Sequence, residues 1–299
     1  MNQNNGSLPF AIAFAALVVG AIAMGISPVF VRYAEIGSFA SAFWRVGLAL
    51  PLLFGWAWFE ARNSGRTLIE TLTFNRAIIL AGILFAGDLI FWHLAVLNTT
   101  IANATFMSCL APVWVVLFSG LFIGEKVGRN TYIGLIVCLF GGAMLIGSSF
   151  AFAPERLLGD FYGLITSIFF GLFFLAIRVA RRTHGAGALT FLSTVITSII
   201  LLAVALISGQ TLWPATIVGV AALFALGLIS HSGGTGLLAI ALGSLSATFS
   251  SLVIFIEALV AALFGWLIFT ENLSPLQMAG GIFILLGIWI ARPREVVSS

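Results

Sequence analysis

Ten long runs of apolar residues, divided by short polar stretches, constrain this chain more than any motif in it. They lie at roughly 8–33, 39–60, 74–97, 102–123, 129–148, 159–181, 187–208, 214–237, 244–269 and 275–291. A helix needs about 20 mostly apolar residues to cross a bilayer. The runs are continuous, whereas the strands of a membrane barrel alternate apolar with polar. The expected fold is therefore all-α, with ten transmembrane helices. Composition agrees: 8% of the residues are charged, against about 25% in a soluble domain. The least marked junctions are 98–101 and 238–243, which are short and mildly polar.

Lys and Arg in short loops orient such a chain, because they stay on the cytoplasmic side. With the N-terminus inside, the inner loops and tail hold ten: Arg62, Arg66, Arg76, Lys126, Arg129, Arg178, Arg181, Arg182, Arg292 and Arg294. Outside are only Arg32 and Arg156, and Arg45 lies within helix 2. Both termini are expected in the cytoplasm. The start, MNQNNGSLPF, lacks the basic segment of a cleavable signal, so helix 1 is expected to be retained.

Slid against itself by 146 positions, the chain places Gly25 on Gly171, Arg32 on Arg178, Gly87 on Gly233, Ala95 on Ala241, Glu125 on Glu271, Gly134 on Gly280 and Gly141 on Gly287. Charge matches carry weight where charge is rare. The halves, 1–150 and 151–299, hold five helices each. Five is odd, so the second half enters the membrane from the opposite side. Such inverted repeats are characteristic of secondary transporters, with the substrate site near the midplane between them.

The segments that close each half, LFIGEKVGRNTYIGLIVCLFGGAMLI and WLIFTENLSPLQMAGGIFILLGIWIA, each place an acidic residue before a Gly-rich last helix. GISPVFVR and GLFFLAIR open the halves, and FASAFWRVGLALPLLF forms helix 2. These segments resemble the drug/metabolite transporter superfamily with EamA-type repeats, and the likeness covers nearly the whole chain. Within it the chain looks most like YddG-type exporters of aromatic and other amino acids. The resemblance implies a multi-pass protein of the bacterial cytoplasmic (inner) membrane that exports small solutes by alternating access. The superfamily also carries nucleotide sugars, metabolites and cationic drugs, so a drug or cationic-toxin exporter of the same fold is the alternative. The halves differ in places: Arg45 pairs with Phe191, and Pro112 with Ala258. A proline kinks a helix by removing a backbone donor, so helix 9 is expected to bend some other way or stay straighter.

The stretch GDLIFWHLAVLN in helix 3 carries the densest mid-span polarity. Asp88 and Trp92, four apart, share a face, while His93 points about 140° away from Asp88. A charge at the bilayer centre costs about 2.5–3.5 kcal/mol on insertion scales. Asp88 is thus either a substrate or proton contact or a hydrogen-bonded link to a neighbouring helix; the same choice stands for His93. Glu257, midway along helix 9, is a coupling group or a neutral structural glutamate, and the resemblance makes a glutamate there unsurprising. Helix 8 carries SHSGGTG around His231, whose glycines permit close packing or irregular backbone beside a cavity; His231 is assigned with Glu257 as coupling or structural. Further substrate-binding candidates are Ser27, Asn98, Met107, Phe173, Ser244, Ser251 and Phe255. Other aromatic and uncharged polar positions within spans are Phe30, Trp44, Phe106, Trp114, Phe169, Asn103 and Ser108. Pro28, Pro112, Gly25 and Gly171 are gate or hinge candidates. Glu125 and Glu271 read as loop or gate anchors. Arg32 and Arg178 read as side chains that snorkel to the headgroups, and Cys109 and Cys138 as small buried residues.

Mid-span cations are scarce, with Arg45 the main exception. Sugar nucleotides would favour several cavity cations, so an apolar or aromatic amino acid fits better. Helix ends can receive its carboxylate. An intramembrane enzyme would need a nucleophile and base or a metal cluster. The chain shows no HExxH and no GxSxG, and its histidines are at 93, 184 and 231. A channel would need a filter-like loop. The lone lysine, Lys126, lies outside any P-loop context. The expectation is a transporter and not an enzyme. It has no cofactor and no nucleic-acid partner, it sits in the lipid bilayer, and ten helices can enclose a path in a monomer.

Overall fold

The computed structural model describes residues 8–99, 104, 107–146, 154–269 and 273–293; Asn103, Phe106, Glu271 and Arg294 lie outside them. Among the described residues, seven helices are long and apolar enough to cross a membrane, and three apolar helices are shorter. In chain order they are α1 (Phe10–Tyr33), α2 (Ser38–Asn63), α3 (Arg76–Asn98), α4 (Ala111–Ile123), α5 (Arg129–Ile146), α6 (Leu157–Ala180), α7 (Ala186–Ile207), α8 (Ile217–Ala241), α9 (Ala247–Ile268) and α10 (Pro275–Ala291).

Local chemistry sets the ends. The Asn75 side chain accepts from Ile78 N at 2.8 Å to start α3, and Ser246 accepts from Phe249 N at 3.2 Å to start α9. Ser274 and Gln277 form a capping box on α10. Gly124, with φ 70°, ends α4 in the left-handed conformation that glycine adopts without steric cost. The caps move two boundaries. Thr216, which accepts from Gly219 N, starts α8 at Ile217 rather than 214. Helix α8 then runs on through the apolar 238–241 and stops at Ala241, because the Ser246 cap leaves only 242–246 as loop.

The packing repeats when the halves are exchanged. Helix α3 lies on α6 as α8 lies on α1, and α4 lies on α6 as α9 lies on α1. Helices α5 and α10 pack on each other, as do α2 and α7. The α5–α10 seam shows the exchange atom by atom. A Cβ on Gly141 would lie 2.7 Å from Gly280 O, and one on Gly287 would lie 2.7 Å from Gly134 O. Between them the Cys138 thiol donates to Ile284 O at 3.5 Å, and Ile284 is the residue 146 positions after Cys138. Lipid gives helices no hydrophobic reason to associate, so close approach over small residues supplies the contact.

Several helices are broken within the bundle. Helix α1 is interrupted at Ile26, two residues before Pro28. Helix α4 is entered through a tight turn in which Leu110 N bonds Met107 O and Val113 N bonds Leu110 O, around Pro112. Helix α9, lacking that proline, bends at the equivalent place all the same. Its helical segments end at Val253 and resume at Ile256, bridged by i→i−3 bonds from Phe255, Glu257 and Ala258. A tightened 3₁₀ turn does there what the proline does in α4. Helix α8 widens into a π-helical stretch over Leu226–Thr235, which holds the SHSGGTG segment.

Candidate functional site

Six helices wall a cavity of about 890 Å³, a volume that includes space open to solvent. Its wall takes Met24, Gly25, Ser27 and Pro28 from α1, Arg45 from α2, and Phe85, Asp88, Leu89 and Trp92 from α3. Ser108 and Cys109 from the turn before α4, with Ala111 and Pro112, add a fourth side. The other half of the chain contributes Thr166 and Phe170 from α6 and Ile254, Phe255, Glu257, Ala258 and Ala261 from α9. The breaks of α1, α4 and α9 border this wall, beside the continuous α3 and α6, whereas the π-helical stretch of α8 does not reach it. Pro28 and Pro112 cannot donate to the carbonyls of Met24 and Ser108, four residues earlier, and both of those residues are on the wall. Irregular backbone at membrane depth is tolerated where it faces a cavity.

Three ionisable side chains meet here. Arg45 is 8% exposed, as is Asp88. Arg45 lies within electrostatic range of both Asp88 and Glu257. No ion pair within 4 Å joins any of them among the described residues. Arg45 Nε and Glu257 Oε1 are buried without a hydrogen-bond partner in the protein. Phe85, Trp92, Phe170 and Phe255 supply the apolar wall.

Of the residues singled out from sequence, Ser27, Pro28, Asp88, Trp92, Pro112, Phe255, Glu257 and Gly25 come together on this wall, with Ser108. The others lie elsewhere. His93 is 3% exposed and turned off the cavity, its Nδ1 donating to Leu89 O at 2.6 Å and its ring 6.2 Å from that of Phe39. Asn98 is exposed at the end of α3 and donates to Leu94 O. Met107 packs against Gly163 of α6. Phe173 is a layer behind the wall, its ring 4.7 Å from that of Phe85. Ser244, in the α8–α9 loop, accepts from Leu8 N, and Ser251 donates to Thr248 O of its own helix. His231 is 1% exposed and shares a 2.8 Å hydrogen bond with Thr194 Oγ1 of α7. Trp44 donates to Leu212 O, Trp114 donates to Ser167 Oγ, and Phe169 stacks on Phe91, all away from the cavity.

Gly25 and Gly171 mark repeat-related seams. A Cβ on Gly25 would lie 2.8 Å from both Glu257 O and Val260 Cβ; one on Gly171 would lie 2.8 Å from Ala111 O and 2.9 Å from Trp114 Cβ. Ala111 and Trp114 are the counterparts of Glu257 and Val260, so α1 sits on α9 as α6 sits on α4.

Sequence reasoning left Arg45, Phe85, Thr166 and Phe170 out of the site. Phe85 was within reach of it, since positions 85, 88 and 92 fall on one helix face. Cys109 faces the cavity, while Cys138 is sealed in the α5–α10 seam.

The end of the bundle holding the α4, α6 and α8 C-termini is tied shut. Glu125 accepts from Arg178 Nε at 3.0 Å and from Ala247 N at the start of α9. Arg178 also donates to Leu242 O, Arg181 to Ala239 O, and Arg182 to Ile123 O. Arginines thus cap helix C-termini, and the acid caps an N-terminus, as the helix dipole favours. Arg178 does not snorkel; the facing carboxylate and carbonyl hold it within the protein. Leu17 of α1, Phe173 and Phe174 of α6 and Leu252 of α9, each placed along its helix between this end and the cavity, are fully buried. Along α1 the cavity residue Gly25 is about 12 Å from Tyr33 and about 22 Å from Phe10, at 1.5 Å per residue.

The chain is 27% identical over 219 residues to the pseudopaline exporter CntI of Pseudomonas aeruginosa, covering 73% of this chain and 75% of that one. It is 26% identical over 280 residues to an uncharacterized transporter of Archaeoglobus fulgidus, covering 93% and 95%. A solved crystal structure shares the fold at TM-score 0.79 and 17% identity, over 94% of this chain and 96% of that one. The sequence model of the EamA-like transporter family matches twice, over residues 11–147 and 157–292. The chain belongs to the EamA-like transporter family and is a multi-pass membrane transporter.

Proposed function

We propose that this transporter exports aromatic and other neutral amino acids across the bacterial cytoplasmic membrane by alternating access. All ten helices cross in this reading, as two inverted five-helix repeats, 1–150 and 151–299, with both termini cytoplasmic. The observation that carries it is the cavity itself. Both halves wall it, its body is aromatic, and the end bearing Arg178 is sealed. By the distribution of Lys and Arg that end is cytoplasmic, so the structure is the state closed to the cytoplasm. Export by CntI supports outward movement of a small molecule.

Counterflow of labelled phenylalanine into liposomes holding only this protein tests the reading. Saturable uptake above that of empty liposomes is expected, and uptake equal to theirs would contradict it. Asp88 and Glu257 outnumber Arg45 on the wall, which favours a cationic drug as the second reading. Competition of counterflow by a lipophilic cation but not by leucine would select it.

A further inference from the structure

We propose that Arg45 is the anchor for the cargo's carboxylate, and that Asp88 and Glu257 together form the seat for its ammonium group. The inference rests on the amino-acid reading above and names the atoms that would recognise such a solute. The contrast with Arg178 is the first argument. Where this fold uses an arginine as scaffold, at Arg178, it brings a carboxylate to 3.0 Å and gives a further donor, Nη1, to the carbonyl of Leu242. Arg45 is more deeply buried, yet it has no carboxylate within 4 Å and its Nε has no partner. An arginine stays protonated in proteins, and a charge inside the membrane costs free energy unless it is paired. The two acids that act on it electrostatically stand on the same cavity wall without closing on it. The space left between them accommodates a molecule carrying both signs of charge.

The second argument is symmetry. The fold repeats its glycine seams after 146 positions. At the positions equivalent to Arg45, Asp88 and Glu257 stand Phe191, Gly234 and Ala111. The charges break the repeat where the cavity is. They come from α2, α3 and α9, so a cargo that bridges them holds the two halves together across the cavity.

The chemistry fits the two ends of an amino acid. A guanidinium presents a planar fork that matches a carboxylate. An ammonium has three donors, which two carboxylates receive. Phe85, Trp92, Phe170 and Phe255 surround the apolar remainder.

The test compares three probes as inhibitors of phenylalanine counterflow, with direct binding followed by tryptophan fluorescence. The probes are phenylalanine, 2-phenylethylamine (no carboxylate) and 3-phenylpropanoate (no amine). Wild type should prefer phenylalanine to both analogues. Arg45→Gln should lower affinity for phenylalanine and phenylpropanoate by about 10- to 100-fold, the scale of a lost hydrogen bond to a charged group, while sparing phenylethylamine. Arg45→Lys should recover part of the loss. Asp88→Asn and Glu257→Gln should show the converse, losing phenylethylamine and sparing phenylpropanoate, so the assignment stays testable should Arg45→Gln not fold. Unchanged selectivity among the three probes in monodisperse Arg45→Gln, or in both acid variants, would overturn the assignment while leaving amino-acid transport standing. A wild type that recognises none of the three would overturn the transport reading, and the assignment with it.

Discussion

Arg178 Nε lies 3.0 Å from Glu125 Oε1, and the same carboxylate accepts from Ala247 N. One acidic side chain in the α4–α5 loop therefore holds the C-terminal end of α6 and the first turn of α9. Neither helix can swing away at this end without breaking it.

Glu125→Gln should loosen that end. The pair is partly exposed, at 26% and 16%, and a pair of that kind contributes about 1 kcal/mol at most, roughly fivefold in population. Cys109 is a built-in reporter, since it lines the cavity while Cys138 is 0% exposed. A membrane-impermeant thiol reagent applied at the Arg178 end should label Cys109 about fivefold faster in Glu125→Gln. An unchanged rate would mean that the packed side chains, not the ion pair, hold the end closed.

Gly25→Ala and Gly171→Ala should behave alike. Each new methyl would meet a carbonyl oxygen and a Cβ at 2.8–2.9 Å. Overpacking of this sort costs about 1–3 kcal/mol. Thermal melting in detergent should show similar losses, and counterflow should slow in both. A loss confined to one variant would contradict the equivalence of the α1–α9 and α6–α4 seams.

A zwitterion uses one positive and one negative group, and this cavity has a second carboxylate besides. With Arg45 paired to the cargo carboxylate and one acid to its ammonium, the second carboxyl is neutral in this apolar setting only while it carries a proton. Glu257→Gln removes a group that can carry that proton. Accumulation driven by a pH gradient should vanish in this variant, leaving slower, gradient-independent counterflow. Gradient-driven accumulation at wild-type levels would return Glu257 to a structural role.

Thr194→Val should affect stability and not transport. It removes the 2.8 Å partner of His231 Nε2 in a fully buried setting, at about 1–3 kcal/mol. The melting temperature should fall, while the exchange rate per folded molecule stays unchanged. A changed pH profile of transport would instead make His231 a coupling group.

The sequence already made the apolar helices, the period between the halves and the family legible, because lipid demands long apolar runs and charges are scarce enough for repeats to stand out. The rotation of each helix was less legible. Lipid is as apolar as the core, so hydropathy does not mark the inner face of a span. Phe173 and Ser251 therefore read like Phe170 and Ser27, although only the latter two reach the cavity. Helix 3 was partly legible: the four-residue spacing put Asp88 and Trp92 on one face, while His93, also a candidate, faces away from the cavity. The bend of α9 had no proline to announce it, and Arg178 looked like a snorkelling side chain because its partners, Glu125 and Leu242, are distant in sequence.

The central claim is that the cavity between the two halves is the transport path. The most direct measurement is phenylalanine counterflow before and after Cys109 is modified by a bulky maleimide, with Cys109→Ala as the control and modification quantified by mass spectrometry. Exchange should be lost in proportion to modification, and Cys109→Ala should be insensitive to the reagent. Full exchange through protein whose Cys109 is completely modified would place the path elsewhere.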